Sequence, residues 1–319
     1  MKPLVASSNA VAIELNAVLV ALTAGEPQVL TLEDGGLLPS GPFESEHPTL
    51  QTGLRAWVER QTHHPLGYVE QLYTFADRNR AETGGGRVVS ISYLGLTRER
   101  LSAGPRDPEW RSWYRYFPWE DWRSAPSPLV GETILPRLAK WVAAADDATL
   151  KRERRQRVEV TFGDADGRAS RGADHWNEEL VLQRYELLYE AGLVTEAGRP
   201  RHPVADPLPG MPMRHDHRRI LATAIARLRA KIKYRPVVFE LMPPEFTLLQ
   251  LQRAVEALAG RPLHKQNFRR LIDQQGLVEE TGVITAGTGG RPAKLYRFRR
   301  AIVLERAAGG SKLPLSRSI

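Results

Sequence analysis

The sequence contains no cysteine among its 319 residues. This absence excludes disulfide scaffolds, cysteine nucleophiles and Cys-ligated zinc or iron–sulfur sites. The chain also lacks any apolar run close to the roughly 20 residues that a membrane helix needs, and its first ten residues do not resemble a signal peptide. We therefore expect a cytoplasmic protein without a membrane partner. The length favours two domains, or one large α/β domain.

Positive charge is unevenly distributed along the chain. The formal net charge is +8. Residues 211–319 hold 21 of the 45 Lys and Arg but only 8 of the 37 Asp and Glu, a net of +13, whereas residues 1–210 have a net charge of −5. A solvated basic surface is one interpretation of such a charge run. A polyanion-binding module in the last third of the chain is the other.

Hydrophobic periodicity in the first two thirds of the chain predicts a mixture of strands and helices. Strands are expected at 11–22, 27–32, 68–75 and 87–94, and helices at 50–61, 129–145 and 176–191. The charged segment 146–174 is expected to be a variable insert, within which 157–162 could form an edge strand. Residues 197–213 are rich in proline and are predicted to be a linker. A further helix, with a basic surface, should run from 216 to before Pro236.

The segment 236–300 has the pattern of a helix-turn-helix. Thr247 is placed to N-cap a helix that Gly260 ends, and a second helix follows over 263–275 after a very short turn. In the second helix Phe268 and Ile272 lie on one face. The opposite face carries Lys, Arg and Gln, the residue types that contact base edges and phosphates.

After the second helix, a glycine-rich stretch lies between two segments that can pair as strands. A two-stranded wing behind a recognition helix makes the module a winged helix-turn-helix, whose basic tip can reach phosphates or the minor groove. We predict that double-stranded operator DNA contacts nine residues: Thr247, Lys265, Gln266, Asn267, Arg269, Arg270, Gly290, Arg291 and Lys294. Residues 301–319 are expected to form a short tail.

In the N-terminal half, the segment that begins at Gly41 has the spacing of the Nudix box, a motif whose glutamates hold catalytic magnesium ions. Four positions match the box: Gly41, Arg55, Trp57 and Glu59. Its other glutamates are replaced by His47, Ala56 and Arg60, the last a cation where a metal ion needs an anion. One carboxylate cannot rebuild such a site. We therefore predict no catalytic residue, no metal ligand and no required cofactor.

Longer segments carry a resemblance to one family. Residues 68–80 and 87–93 resemble the strand–loop–strand that follows the box in ADP-ribose-type Nudix proteins. Together with 246–270 and 290–298, they resemble the Nudix-related transcriptional regulators (NrtR), most closely the NadQ-type branch that controls NAD biosynthesis genes. The resemblance covers about residues 10–125 and 175–300. Its C-terminal motifs are the more specific half.

This resemblance implies a fold and a function. The implied fold is α/β (α+β), with a Nudix-like mixed-sheet α/β/α sandwich at 1–235 and a winged helix-turn-helix at 236–300. The implied function is a homodimeric repressor of NAD biosynthesis or salvage genes. ADP-ribose, or a related NAD-derived or adenine nucleotide, is expected to release this repressor from DNA. The nucleotide-binding residues expected from the resemblance are Arg55, Glu70, Gln71, Phe75, Asp77 and Arg80.

Several alternatives remain open on the sequence alone. Arg55 and Glu59 could form a structural ion pair instead of a phosphate site. The chain could also be an active ADP-ribose-type pyrophosphatase with an attached DNA-binding domain, or a basic protein that binds nucleic acid without sequence preference. The aromatic residues between 110 and 122 could pack over the core or across a dimer interface, or they could stack on an adenine base.

Overall fold

The computed structural model describes residues 11–63, 66–76, 87–98, 108–163, 176–198, 202–285 and 292–299. Four of the residues predicted to bind a nucleotide or DNA lie outside this part of the chain, as does the tail 301–319; the four are Asp77, Arg80, Gly290 and Arg291. Among the described helices, none has the length and apolar character needed to span a membrane.

A six-stranded mixed sheet forms the centre of the N-terminal part. Its strands are β1 (Val11–Thr23), β2 (Glu26–Thr31), β3 (Ser40–Pro42), β4 (Tyr68–Phe75), β5 (Arg87–Leu96) and β6 (Glu109–Ser112). The order is β4-β5-β1-β2-β6, and β3 also pairs with β1. Among these described strands, the β1–β5 pair is parallel and the others are antiparallel. The middle of β1 is apolar at almost every position because helices cover this central strand on both faces.

Helices lie on both faces of this sheet. α1 (Leu50–Thr62) packs Leu54 and Val58 on one face, against a cluster that includes Leu15 and Leu19 of β1. α5 (His217–Ile232) packs on the other face, in the same cluster as Val18 and Val20 of β1. Successive β1 side chains point to opposite faces, so one strand serves both helices. This arrangement confirms the predicted α/β/α sandwich.

Between β6 and α5 the described residues form three α-helices: α2 (Leu135–Ala143), α3 (Ala148–Phe162) and α4 (Val181–Glu190). The edge strand predicted at 157–162 is wrong, because this segment is the last part of α3. Asp147 caps the helix by accepting from the backbone N–H groups of Thr149 and Leu150. Val158 and Phe162, four residues apart, are buried on one side of it. Helical spacing thus overrides their β propensity.

The aromatic segment after β6 lies in the core. Trp113, Tyr116, Phe117 and Trp119 are all fully buried. Their rings meet neighbours edge-on, as in the pair Phe117–Trp119 at 6.0 Å between centroids. Buried rings have no free face for a base, which supports the interpretation that the segment packs over the core.

The proline-rich segment before α5 is partly held against the N-terminal fold. The Leu208 N–H donates to the Leu193 carbonyl at 2.8 Å, and the Met211 N–H donates to the Arg115 carbonyl at 2.8 Å. Leu208 and Met213 are buried. In its described residues, 202–213, the predicted linker is therefore packed. The predicted domain limits at 235 and 236 remain a prediction.

The C-terminal part is a winged helix. It consists of β7 (Glu245–Phe246), α6 (Leu248–Ala259), α7 (Lys265–Gln275), β8 (Val278–Thr285) and β9 (Ala293–Phe298). Thr247 and Gln250 form a capping box at the start of α6, and Gly260 ends that helix, as the sequence predicts. The strand β7 was not predicted. It pairs with β9 to give the order β7-β9-β8, and two residues are too few for a periodic pattern.

A buried ion cluster joins the N-terminal fold to helix α5. The Glu120 carboxylate accepts from Arg184 Nε at 2.6 Å and Nη2 at 2.8 Å, and from Arg229 Nη1 at 2.7 Å. The three side chains are at most 1% exposed. Backbone carbonyls of Thr161, Asn177 and Glu178 accept further guanidinium N–H groups. The two arginines of this Glu120 cluster are therefore extensively hydrogen-bonded in a dry interior.

Arg229 of this cluster and two neighbouring aromatic residues hold the end of α6. Arg229 Nε donates to the Leu258 carbonyl at 2.9 Å, and the Tyr114 hydroxyl donates to the Ala257 carbonyl at 2.6 Å. The backbone N–H of Trp122 donates to the Gly260 carbonyl at 2.7 Å. A helix leaves its last four carbonyls without intrahelical partners, and these donors supply partners for three carbonyls at the end of α6. Gly260 has φ +72°, and a Cβ there would lie 2.4 Å from the Glu120 carbonyl oxygen.

We expect Glu120→Gln to lower the free energy of unfolding by about 3–5 kcal/mol, because it leaves two buried guanidinium groups without a full counter-charge. Glu33→Gln is the matched control, since Glu33 pairs with Arg214 at the surface with both side chains more than half exposed. The control should cost less than about 1 kcal/mol. Guanidinium denaturation measures both values. A loss in Glu120→Gln no larger than that of the control would contradict the assigned role of the cluster.

Candidate functional site

The exposed face of α7 is the candidate DNA interface. Phe268 and Ile272 are buried against the winged-helix core. All the residues of α7 predicted to contact DNA are exposed: Lys265, Gln266, Asn267, Arg269 and Arg270. They therefore share one solvent-facing surface rich in cations and amides, as a helix that enters the major groove requires.

The turn between α6 and α7 is fixed by two polar side chains that the sequence analysis missed. Glu256 Oε1 accepts from the Leu263 N–H at 2.8 Å, and Gln252 Nε2 donates to the Leu263 carbonyl at 3.1 Å. Gln252 also donates to Glu256 at 2.9 Å. These bonds set the start of α7. No local pattern predicts them, because a polar residue on a helix surface is usually only solvated.

Thr247 has a structural partner. Its hydroxyl accepts from the Gln250 N–H at 3.1 Å, and the residue is 4% exposed. The Thr247 side chain therefore caps the N-terminus of α6. Its predicted contact with DNA remains a prediction, to which the structure adds this competing role.

Lys294 lies on the wing strand β9 and is paired within the wing. Its Nζ is 2.9 Å from both carboxylate oxygens of Glu280, and the Tyr296 hydroxyl donates to the same carboxylate at 3.3 Å. The hydrogen bond and charge of Glu280 raise the pKa of Lys294 above its ordinary value. Lys294 is thus a cation at neutral pH, and a DNA phosphate would have to share it with Glu280.

The residues at the degenerate box positions do not match the ligand set of a magnesium site. Arg60 stacks over the Trp57 ring with its guanidinium carbon 4.5 Å from the centroid, at the position where the box has a glutamate. Trp57 lies tightly against Gly41 and donates from Nε1 to the Pro42 carbonyl at 2.8 Å. Within the described part of the chain, no three His, Asp or Glu side chains are grouped to hold a metal ion. The donor set therefore does not fit the hard divalent cation that Nudix chemistry requires.

Arg55, predicted to bind phosphate, holds a loop. Its Nη1 donates to the Leu66 carbonyl, and its Nη2 donates to the Gly67 carbonyl at 3.2 Å. These bonds connect α1 to the start of β4. A nucleotide phosphate at Arg55 would compete with both carbonyls.

The other predicted nucleotide-binding residues on β4 do not share a pocket. Glu70 contacts Lys231 and Tyr68 on the α5 side of the sheet. Gln71 points away from Glu70, by strand alternation, and is exposed. Phe75 is buried, with the Arg219 guanidinium 4.7 Å from its ring centroid. Only Glu70 and Phe75 therefore face α5.

Two buried polar side chains lie between the sheet and α5 and are incompletely hydrogen-bonded. Asn16 is fully buried, and neither of its side-chain polar atoms has a hydrogen-bond partner among the described residues. The Nδ1 of His217 accepts from the Leu38 N–H at 2.9 Å, while its Nε2 has no such partner. Burial, with a smaller contribution from His215, lowers the pKa of His217 to about 3, so the imidazole is neutral at pH 7. These atoms are available to a buried water or a polar ligand group. In the sequence, the only hint of these buried polar groups is Asn16, a polar residue within the otherwise apolar middle of β1.

Comparison with known proteins gives a sequence match for the winged helix. Residues 238–298 match the family model described as the NrtR DNA-binding winged helix domain. The ADPR responsive transcriptional repressor NtrR of Acinetobacter baylyi is 46% identical over 83 residues, which is 26% of this chain and 33% of the relative. The match thus spans about a third of that relative's length.

Solved structures match the fold over most of the chain. Shewanella oneidensis NrtR in complex with a 27mer DNA has a TM-score of 0.53 and 20% identity, with 92% of this chain and 95% of that one covered. A MutT/nudix family protein from Enterococcus faecalis has a TM-score of 0.51 and 14% identity, with 91% and 87% covered. At these identities, both matches show similarity of fold alone. The winged helix of this chain is thus similar in sequence to the NrtR family model, and most of the chain is similar in fold to these solved structures.

Proposed function

We propose that this chain is a DNA-binding transcriptional repressor of NAD biosynthesis or salvage genes, and that it works as a homodimer. The observation that carries the proposal is the exposed polar and basic face of α7, within a segment that matches the NrtR winged helix. The Acinetobacter relative is named a repressor, and the Shewanella structure contains DNA. Both support the same function here.

The charge distribution supports DNA as the polyanion. Residues 236–300, which form the winged helix, hold 10 Lys and Arg against 6 Asp and Glu, a net charge of +4, whereas residues 1–210 have a net charge of −5. Electrostatic attraction to a polyanion therefore favours the winged helix over the N-terminal part. Phosphate contacts give affinity, whereas the amides and guanidinium groups of α7 can distinguish bases. In a dimer, two such helices would read half-sites about one DNA turn apart.

We further propose that ADP-ribose, or a related NAD-derived or adenine nucleotide, binds the Nudix-like half and weakens DNA binding. The relative's name, ADPR responsive, supports this class of effector. A ligand that prefers a dimer geometry in which the recognition helices no longer match the half-sites lowers DNA affinity by its differential affinity for the two states.

The Nudix-like half binds its nucleotide without hydrolysing it, under this proposal. Glu59 is the single box glutamate left, and Arg60 puts a positive charge where a second carboxylate would bind metal. Water activation and charge neutralisation at a pyrophosphate both need the metal that this donor set cannot hold.

Base recognition is tested by substituting the exposed face of α7. We expect Arg269→Ala and Gln266→Ala to reduce the preference for a cognate duplex over a scrambled one by about tenfold, because a bidentate base contact is lost. Lys294→Ala should weaken binding to both duplexes alike. Fluorescence anisotropy at fixed salt measures these affinities, with the cognate duplex selected from a random library by the wild-type protein.

Arg155→Ala, on the exposed side of α3, is the matched control and should change neither affinity. The assignment of α7 as the recognition helix would be wrong if Arg269→Ala and Lys294→Ala lowered affinity for the two duplexes equally. If the wild-type protein selected no cognate duplex, the repressor function itself would be excluded.

Hydrolysis is tested by incubating the protein with ADP-ribose and Mg²⁺ and measuring AMP by chromatography. We expect no AMP above the rate without protein, because the box lacks its metal-binding carboxylates. Magnesium-dependent release of AMP at ordinary enzyme rates would identify the chain as an active pyrophosphatase with an attached DNA-binding domain.

A further inference from the structure

A cavity of about 590 Å³ lies between β4 and the C-terminal half of α5. Its volume is in the range of small-molecule sites. The described residues that line it include Tyr68 and Glu70 from β4, and Arg227, Lys231, Tyr234 and Arg235 from α5 and the turn after it. We name it the α5 cavity. Of the predicted nucleotide-binding residues that the structure describes, only Glu70 lines this cavity.

Three cations line up along one side of the α5 cavity. Arg227, Lys231 and Arg235 are spaced by four residues, which brings like charges together and disfavours the bare helix. Lys231 pairs with Glu70, whereas Arg227 and Arg235 are exposed and no ion pair joins them to another described residue. Burial and the charge of Arg235 lower the pKa of Lys231, in agreement with an excess of positive charge. A bound anion would relieve this repulsion.

The remaining lining groups suit the other parts of a nucleotide. Tyr234 is 54% exposed and offers a ring face on which a base can stack. The Glu70 carboxylate, which already accepts from Tyr68, can accept from ribose hydroxyls. Guanidinium groups bind phosphate oxygens in a bidentate manner. One cavity thus combines an aromatic ring, a hydroxyl acceptor and two unneutralised guanidinium groups.

We propose that the α5 cavity binds the diphosphate of a nucleoside diphosphate ligand, with Arg227 and Arg235 as the phosphate-binding residues. This inference rests on the proposed function, because it assigns a site to the proposed effector. The degenerate box lies on the α1 side of the sheet, so the α5 cavity is a separate site on the opposite face.

The position of the cavity gives its occupant a route to the winged helix. Arg229 lies between Arg227 and Lys231 in sequence but faces the core, where it binds Glu120 and the Leu258 carbonyl of α6. A ligand that draws Arg227 and Arg235 together changes the position of this part of α5. The hydrogen bond from Arg229 then carries that change to α6.

The test compares the full-length wild-type protein with R227A/R235A by calorimetric titration of ADP-ribose and ADP. We expect the double variant to bind both nucleotides at least about tenfold more weakly, because two charged phosphate contacts are lost. The matched control R152A/R155A removes two exposed arginines from α3 and should bind like the wild type. Thermal denaturation verifies that the variants are folded, which their exposed positions favour.

Equal nucleotide affinities of R227A/R235A and wild type would overturn the α5 cavity as the site and leave the proposed function in place. If the double variant instead lost DNA affinity or changed oligomeric state with unchanged nucleotide affinity, these arginines would serve DNA phosphates or a second copy of the chain, and the proposal would again be wrong. If the wild type bound neither nucleotide, the nucleotide-effector part of the proposed function would fail together with this site.

Discussion

The contact between the Glu120 carboxylate and the guanidinium groups of Arg184 and Arg229 constrains the rest of the structure. It ties helices α4 and α5 to the buried aromatic segment through one carboxylate in a dry environment. Removing any partner would leave an uncompensated buried charge, so the three elements must keep their relative positions. Arg229 then extends the same network to the last carbonyls of α6. The winged helix is consequently attached through bonds that specify its orientation.

This attachment explains how a metabolite could control a DNA-binding domain without touching it. The turn that sets the start of α7 is bonded to Gln252 and Glu256 of α6, and the end of α6 is bonded to Arg229 of α5. α5 in turn covers the central sheet of the Nudix-like half. A ligand that distinguishes two positions of α5 would thereby distinguish two orientations of the recognition helix, which is the differential contact that linkage requires.

Local signals predicted most elements of this fold, and long-range pairing explains what they missed. Caps and periodicity placed α6 and α7 because Thr247, Gly260 and the stripe with Phe268 are local features. The segment 157–162 was ambiguous because its β-branched residues favour a strand. Asp147 caps a helix ten residues upstream, and that helix continues through the segment. The Glu120–Arg229 pair joins residues 109 positions apart, and no local pattern links them. Among the predicted nucleotide-binding residues that the structure describes, Glu70 and Gln71 point to opposite faces of the sheet because side chains alternate along a strand.

The proposed function rests on one claim: nucleotide binding and DNA binding are coupled through this chain. The dissociation constant for the selected duplex, measured at fixed salt with and without saturating ADP-ribose, tests this coupling. We expect ADP-ribose to raise this constant by at least about fivefold, and the duplex to weaken ADP-ribose binding by the same factor. An unchanged constant for the duplex, in the presence of ADP-ribose shown by calorimetry to be bound, would contradict the claim.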